Sequence, residues 1–355
     1  MTAAEVLTAD DDARWRALLP ARESVFGSVG FASIQRQHAG AEPRLFTIGA
    51  PDGRIALPLY LRSTGSLPFA DRVDGALFDS RTPEYTGPLA AGALDPATRT
   101  AFAEALAGWC ADTGVVTEFE HLHPWKARTE LLDPAGLEPD REIVYVDLTQ
   151  DEERMWRESF THACRKNIKR ARREGVRVRE ATSEADAGEL HGIYELTMDR
   201  QGALERYHLP PEYFVSFLER LPDNSRILLA EHEGRVIAAT LYLHDDDDAY
   251  SYLGGADHDF QRVRPTNAIV DEMIRWARGQ GRQRLVLGGG YAPGDGIFRF
   301  KSSFSPLRAA FHVYRHVHMP DAYAALGDAW RDHYGMEAEA GFFPPYRAVP
   351  AQSPR

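Results

Sequence analysis

The chain has 355 residues, 43% hydrophobic and 26% charged, enough for one large or two medium cores. Its net charge of −12 argues against a nucleic-acid interface spread over the whole surface. Two cysteines far apart, Cys110 and Cys164, exclude a disulfide framework and a cysteine-rich zinc site; no apolar run reaches transmembrane length and the acidic start lacks a signal-peptide pattern, so a reducing cytoplasm without membrane insertion is expected.

In chain order, residues 29–38 are predicted helical, and residues 44–48 and 55–61 form strands around a turn at Pro51, Asp52 and Gly53. Residues 96–110 carry Ala101, Phe102, Ala105, Leu106 and Trp109 at helical spacing, followed by strands at 115–121 and 143–148. One long helix is expected over 151–174, ended by Gly175, with Trp156, Phe160, Cys164, Ile168 and Ala171 on one stripe. Helices at 184–201 and 211–221 follow. A β-meander then runs through 227–231, 235–243 and 249–254, turning at Glu233–Gly234 and at 245–248, the latter expected to be a solvated tip. A helix at 266–278, strands at 284–287 and 309–316, and a Pro- and Gly-rich tail from 340 complete the chain.

Charge is concentrated in one place. Residues 165–179 (RKNIKRARREGVRVR) hold eight basic residues and one acidic one, +7 in fifteen positions, which leaves −19 elsewhere. Arg165, Lys166, Lys169, Arg170 and Arg173 either bind phosphate, one helical turn spanning successive groups, or form a solvated helix face.

Glycines in 285–301 (LVLGGGYAPGDGIFRFK) follow a buried strand. They let a ligand approach the backbone, with Lys301 as a fixed cation beside them, or they form an ordinary turn with a surface lysine. Arg200 either clamps an anion or answers its helix C-terminal dipole. Tyr250 and Tyr252 share a strand face by the two-residue period. His121, His123, His312, His316 and His318 lack carboxylates at ligand spacing, so no metal site is expected.

Taken in order, these pieces resemble the Fem family of aminoacyl-tRNA-dependent peptidyltransferases and the wider Fem-like branch of the GNAT superfamily. The matching stretches are 165–176 (RKNIKRARREGV), 196–200 (LTMDR), Tyr213 with Phe214, and 229–239 (LAEHEGRVIAA). They continue through 250–255 (YSYLGG), 265–268 (PTNA), Gly288 to Gly290, and Phe300 with Lys301; residues 85–88 (YTGP) resemble the aromatic-Gly-Pro strand of a first module.

The resemblance implies an α/β (α+β) fold of two tandem GNAT-like modules that bury substrate between them, each a mixed, mostly antiparallel sheet flanked by helices. The modules are expected at 1–150 and 151–335, with a tail at 336–355. It implies that Lys301, with Phe300 beside it, stabilises the tetrahedral intermediate or the tRNA end. Arg200 would contact an anionic part of the acceptor, with Tyr252 and Asn267 lining the cleft. In the first module, Tyr85 lies in the aromatic-Gly-Pro strand, Arg36 stands where the family has a lysine, and Glu118 is expected at the substrate. Glu118, Asp257 of the second module and the substrate itself are the candidate proton acceptors.

The implied reaction joins an aminoacyl group from tRNA to the amine of a cell-wall precursor or a small molecule, with no bound cofactor. Residues 261–266 (QRVRPT) lack both glycines of the loop that holds acyl-CoA pyrophosphate, so acyl-CoA is the less expected donor. An acyl-CoA- or carrier-protein-dependent N-acyltransferase, and a non-catalytic tRNA- or precursor-binding protein, are the alternatives.

Overall fold

The computed structural model describes residues 4–20, 23–49, 53–290, 292 and 294–350. Pro51 and Asp52 of the expected turn, Tyr291 and Pro293 of the glycine-rich stretch, and residues 351–355 of the tail lie outside the described residues. The chain divides into two compact units, residues 1–140 with 311–355, and residues 141–310.

The first unit opens with β1 (Glu5–Thr8), α1 (Asp12–Leu18), α2 (Val29–Ala39), β2 (Glu42–Ile48) and β3 (Ile55–Ser63). β4 (Phe78–Arg81), β5 (Leu89–Ala90), α3 (Pro96–Thr113) and β6 (Val115–Leu122) follow. Local chemistry sets the ends of α3: the Asp95 side chain accepts from Thr98 N–H, Pro96 occupies the first turn, and Gly114 leaves the helix left-handed at φ 79°. The sheet order is β1-β2-β3-β4-β6, with β4 and β6 parallel and β5 added to β3. Phe46, Leu57, Phe102, Leu106 and Val115 form one core cluster beneath α3. Each such side chain, fully buried, stabilises the unit by roughly 1.5–3 kcal/mol.

The second unit contains β7 (Leu137–Asp147) from residue 141 on, α4 (His162–Arg173), β8 (Arg177–Glu180), α5 (Glu184–Gln201) and α6 (Pro211–Arg220). Next come β9 (Ser225–His232), β10 (Arg235–His244), β11 (Asp248–Ala256), α7 (Pro265–Gly279), β12 (Arg284–Gly288) and α8 (Gly296–Ser302). Its sheet order is β7-β12-β11-β10-β9-β8. The meander β9–β10–β11 turns at Glu233 and Gly234, both at positive φ as a tight hairpin turn requires. β11 and β12 are parallel over only three pairs, Asp248–Tyr250 against Arg284–Val286. Beyond Tyr250 and Val286 the two strands part, and their C-terminal ends open on the same edge of the sheet.

The single helix expected over 151–174 is two pieces. A short helical turn ends at Ser159, Phe160 is extended, and Thr161 caps α4 by accepting from Cys164 N–H. Arg165 joins the pieces, donating through Nη1 to the carbonyls of Trp156, Arg157 and Phe160. The apolar stripe survives the break, since Phe160, Cys164, Ile168 and Ala171 are all buried in the core of the second unit. Residues 245–248 are a solvated tip only at Asp246 and Asp247. Asp245 and Asp248 are buried, the first accepting from Tyr250 and the second paired with Arg284.

β13 (Arg308–Val317) and α9 (Pro320–Tyr334) return to the first unit. β13 pairs antiparallel with β6, placing Val313 opposite His121. This grouping differs from the expected boundaries at 150 and 335, because Leu326, Ala329, Trp330 and Tyr346 share a core cluster with Phe69 and Val116. The described part of the tail is anchored there rather than lying loosely on the surface. Among the described residues no helix is long and apolar enough to cross a membrane.

Candidate functional site

Lys301 is set by the helix that carries it. The Asp295 carboxylate caps α8, accepting from Phe298 N–H at 2.7 Å and Ala292 N–H at 3.2 Å. The cap turns the chain back so that Lys301 Nζ donates to the Gly289 carbonyl at 2.8 Å, just past the end of β12. Gly290 cannot carry a side chain here, since a Cβ would stand 2.4 Å from Asp295 Oδ1. Burial pushes the ammonium pKa down to about 8, against the opposing pull of the Asp295 charge. The cation is thus held on a glycine carbonyl and half-buried; of its three donors, the bond to Gly289 uses one.

Phe300 has a different place. Its partly buried ring packs edge-on to Phe304 at 5.4 Å against the core, which makes it a support for α8.

Tyr252 lies on the opened part of β11, and its hydroxyl meets that of Tyr213 on α6 at 3.0 Å. A register shift between Leu241 and Tyr242 puts an extra residue in β11, so the strict alternation that predicted a shared face for Tyr250 and Tyr252 is interrupted. Tyr250 is fully buried whereas Tyr252 is half-buried.

Arg200, exposed in the last turn of α5, approaches His258 Nδ1 at 3.4 Å, and His258 in turn meets Gln261 at 2.8 Å. Asn267 does not line an open surface. It is 5% exposed in the first turn of α7. Asp257 caps the turn after β11, accepting from Asp259 N–H, and pairs with Arg235 at 2.7 Å.

The residues before α7 retain a feature of a phosphate loop without its glycines. Arg264 precedes the helix in the left-handed conformation at φ 63°, and Pro265 fills the first turn. A side chain and a proline ring stand where small residues would expose N–H groups.

On α4 the basic residues separate into two groups. Lys166 and Lys169 are exposed, with Lys169 Nζ 5.9 Å from the Trp156 ring centroid. Arg165 is committed to backbone carbonyls, which corrects its expected phosphate role. Arg170 and Arg173 lie 3.7 Å from Glu174. Arg172, not among the expected residues, pairs with Asp271 at 2.6 Å and borders an open cavity of about 470 Å³ with Trp156, Arg275 and Arg278.

The first-unit candidates are not gathered around one point. Arg36 is exposed and paired with Asp10 at 2.7 Å. Tyr85, at φ 52°, sits among the rings of Phe26, His123 and Phe311. Glu118 is 4% exposed and bonded to His318 Nε2 at 2.9 Å, beside the fully buried Glu120. Burial works to raise the Glu118 pKa, but the bond to His318 holds it below the usual range. Burial and the neighbouring Glu118 charge push Glu120 well up. Glu118, a candidate proton acceptor, is thus enclosed rather than on an open surface. Both thiols are buried and pushed up by burial, Cys164 to about 12, far from nucleophilic.

Sequence reasoning missed Asp295 and Tyr213 as partners of the site. The Asp three positions before Phe298 is a helix-start signal that could have found the first; Tyr213 shows itself only through contact with Tyr252.

Residues 158–302 match the acetyltransferase (GNAT) domain family. No curated protein matches the chain by sequence. Among solved structures, FemX aligns with a TM-score of 0.69 at 11% identity, over 90% of this chain and 98% of its own. A Bacteroides thetaiotaomicron protein of unknown function gives 0.57 at 13%, over 89% and 99%. The C-terminal domain of a putative lysylphosphatidylglycerol synthetase from Agrobacterium fabrum gives 0.53 at 14%, over 91% and 96%. Residues 158–302 therefore match the GNAT acetyltransferase domain, and the fold of the chain is like that of FemX.

Proposed function

We propose that this protein is an N-acyltransferase that moves an aminoacyl group from the ester of an aminoacyl-tRNA to the amine of a small-molecule or cell-wall-precursor acceptor, without a bound cofactor. The amine nitrogen attacks the ester carbonyl, the carbonyl oxygen becomes negative, and the bond to the ribose oxygen then breaks. The proton lost by the amine ends on that leaving oxygen. An activated ester needs no covalent nucleophile from the protein, in keeping with the two inert thiols.

The observation that carries the reading is Lys301. A half-buried ammonium, held on the Gly289 carbonyl where β11 and β12 part, suits a developing oxyanion because little water competes for it. Arg200 is assigned to an anionic group of the acceptor, Tyr252 to the wall beside it, and Lys166 and Lys169 to tRNA phosphates. Lys301→Ala is expected to lower turnover by about 10²–10³-fold with unchanged circular dichroism. A variant that retained the wild-type rate would remove the assignment.

A second reading, transfer from acyl-CoA, draws support from the match to the acetyltransferase domain family. Arg264 and Pro265 weigh against it, since they crowd the helix start that a pyrophosphate would need. Turnover measured with charged tRNA, with acyl-CoA, and after ribonuclease treatment separates the two. Activity that survives ribonuclease and requires acyl-CoA sinks the tRNA reading.

A further inference from the structure

The outer part of α5 and the loop after it bring together four groups outside the site described above. His191, Glu195 and Asp199 recur every fourth residue and therefore share a helix face. The loop of residues 202–210 returns over that face, pinned by Tyr194 Oη donating to the Tyr207 carbonyl at 2.8 Å. It delivers His208, whose Nδ1 lies 2.7 Å from Glu195 Oε2. One ligand atom each from Glu195, Asp199 and His208 falls within 4.8 Å of the others, and His191 Nε2 is 3.9 Å from the second oxygen of Glu195.

Two carboxylates one turn apart on a helix repel each other and destabilise it. Two imidazoles converging on them form a nitrogen and oxygen donor set suited to a first-row transition ion, and to Zn²⁺ in particular. Spacing along α5 alone shows three of these four groups. His208 joins it only because Gly202, left-handed at φ 60°, ends the helix and turns the chain back.

We infer that Glu195, Asp199 and His208, with His191 at its edge, form a structural zinc site that clips the 202–210 loop to α5. The clip also steadies the approach to α6, which carries Tyr213. The neutral histidine is the ligand, so binding releases a proton wherever His208 is protonated.

The test is calorimetric titration of chelator-treated, tag-free full-length protein with ZnCl₂, with the visible spectrum of added Co²⁺ as a second measure. One ion per chain is expected. His208→Ala should weaken binding at least about tenfold, and Glu195→Gln with Asp199→Asn should do the same while preserving side-chain size. His162→Ala, which removes an exposed imidazole on α4, should leave binding unchanged. Zinc should also slow proteolysis within 202–210. If His208→Ala fails to fold, the Gln and Asn exchange decides. Absence of saturable binding, or one-to-one binding indifferent to these changes, overturns the site.

Discussion

Lys301 shows how one residue trades stability for chemistry. Between about pH 8 and the ordinary lysine value of 10.5, the unfolded chain binds this proton and the folded chain does not. Stability from this group therefore rises with pH across that window, and below it the fold bears the cost of a half-buried charge. Lys301→Met should be more stable than wild type at pH 7, by on the order of 1 kcal/mol in urea titration, while losing turnover. If the cation is what the reaction uses, kcat should fall as pH rises through about 8. Lys301→Arg, which stays charged, should move that alkaline limb upward. An unmoved limb in the arginine variant would show that another group titrates. Lys301 and the glycines could be singled out in the sequence, although a Gly run after an apolar strand reads equally well as an ordinary turn with a surface lysine. The acceptor for Nζ could not, because a backbone carbonyl twelve positions away leaves no mark in composition.

At the scale of elements, α4 illustrates what periodicity reads well and badly. Phe160, Cys164, Ile168 and Ala171 keep their spacing through the break, so the buried face was correct even though the helix was not continuous. The break rests on Thr161, whose side-chain cap is one short-range contact that an amphipathic pattern hides. Thr161→Ala should cost about 1 kcal/mol in thermal or urea unfolding. The exposed Lys166 and Lys169 make a separate prediction. Replacing both with Gln should leave stability within about 0.5 kcal/mol. It should also flatten the dependence of tRNA affinity on salt by roughly 0.7 logarithmic units per charge removed. An unchanged slope would return these residues to the status of a solvated face. α9 escaped the sequence reading because its buried positions, Leu326, Ala329 and Trp330, cover less than two turns, too few to set a period.

At the scale of the whole molecule, the longer strands were legible, but the short β1, β4, β5 and β8 were not, nor was the grouping of the last residues, which depends on contacts across more than two hundred positions. Asp79 is fully buried on β4, where it accepts from Tyr346, from Arg347 Nε at 2.6 Å and from Thr117 at 3.2 Å. Arg347→Met strips a buried carboxylate of its main counter-charge and should cost about 3–5 kcal/mol, measured by urea unfolding. Asp79→Asn in the same chain should recover part of that loss. The 141–310 unit is one uninterrupted stretch, whereas the first unit is written in two pieces separated by it. On a translating ribosome, the strand that pairs with Val115–Leu122 emerges only after the whole of the intervening unit. The segment encoded second can thus mature first, and the opening 140 residues must wait, with one sheet edge uncovered, for a partner that arrives last.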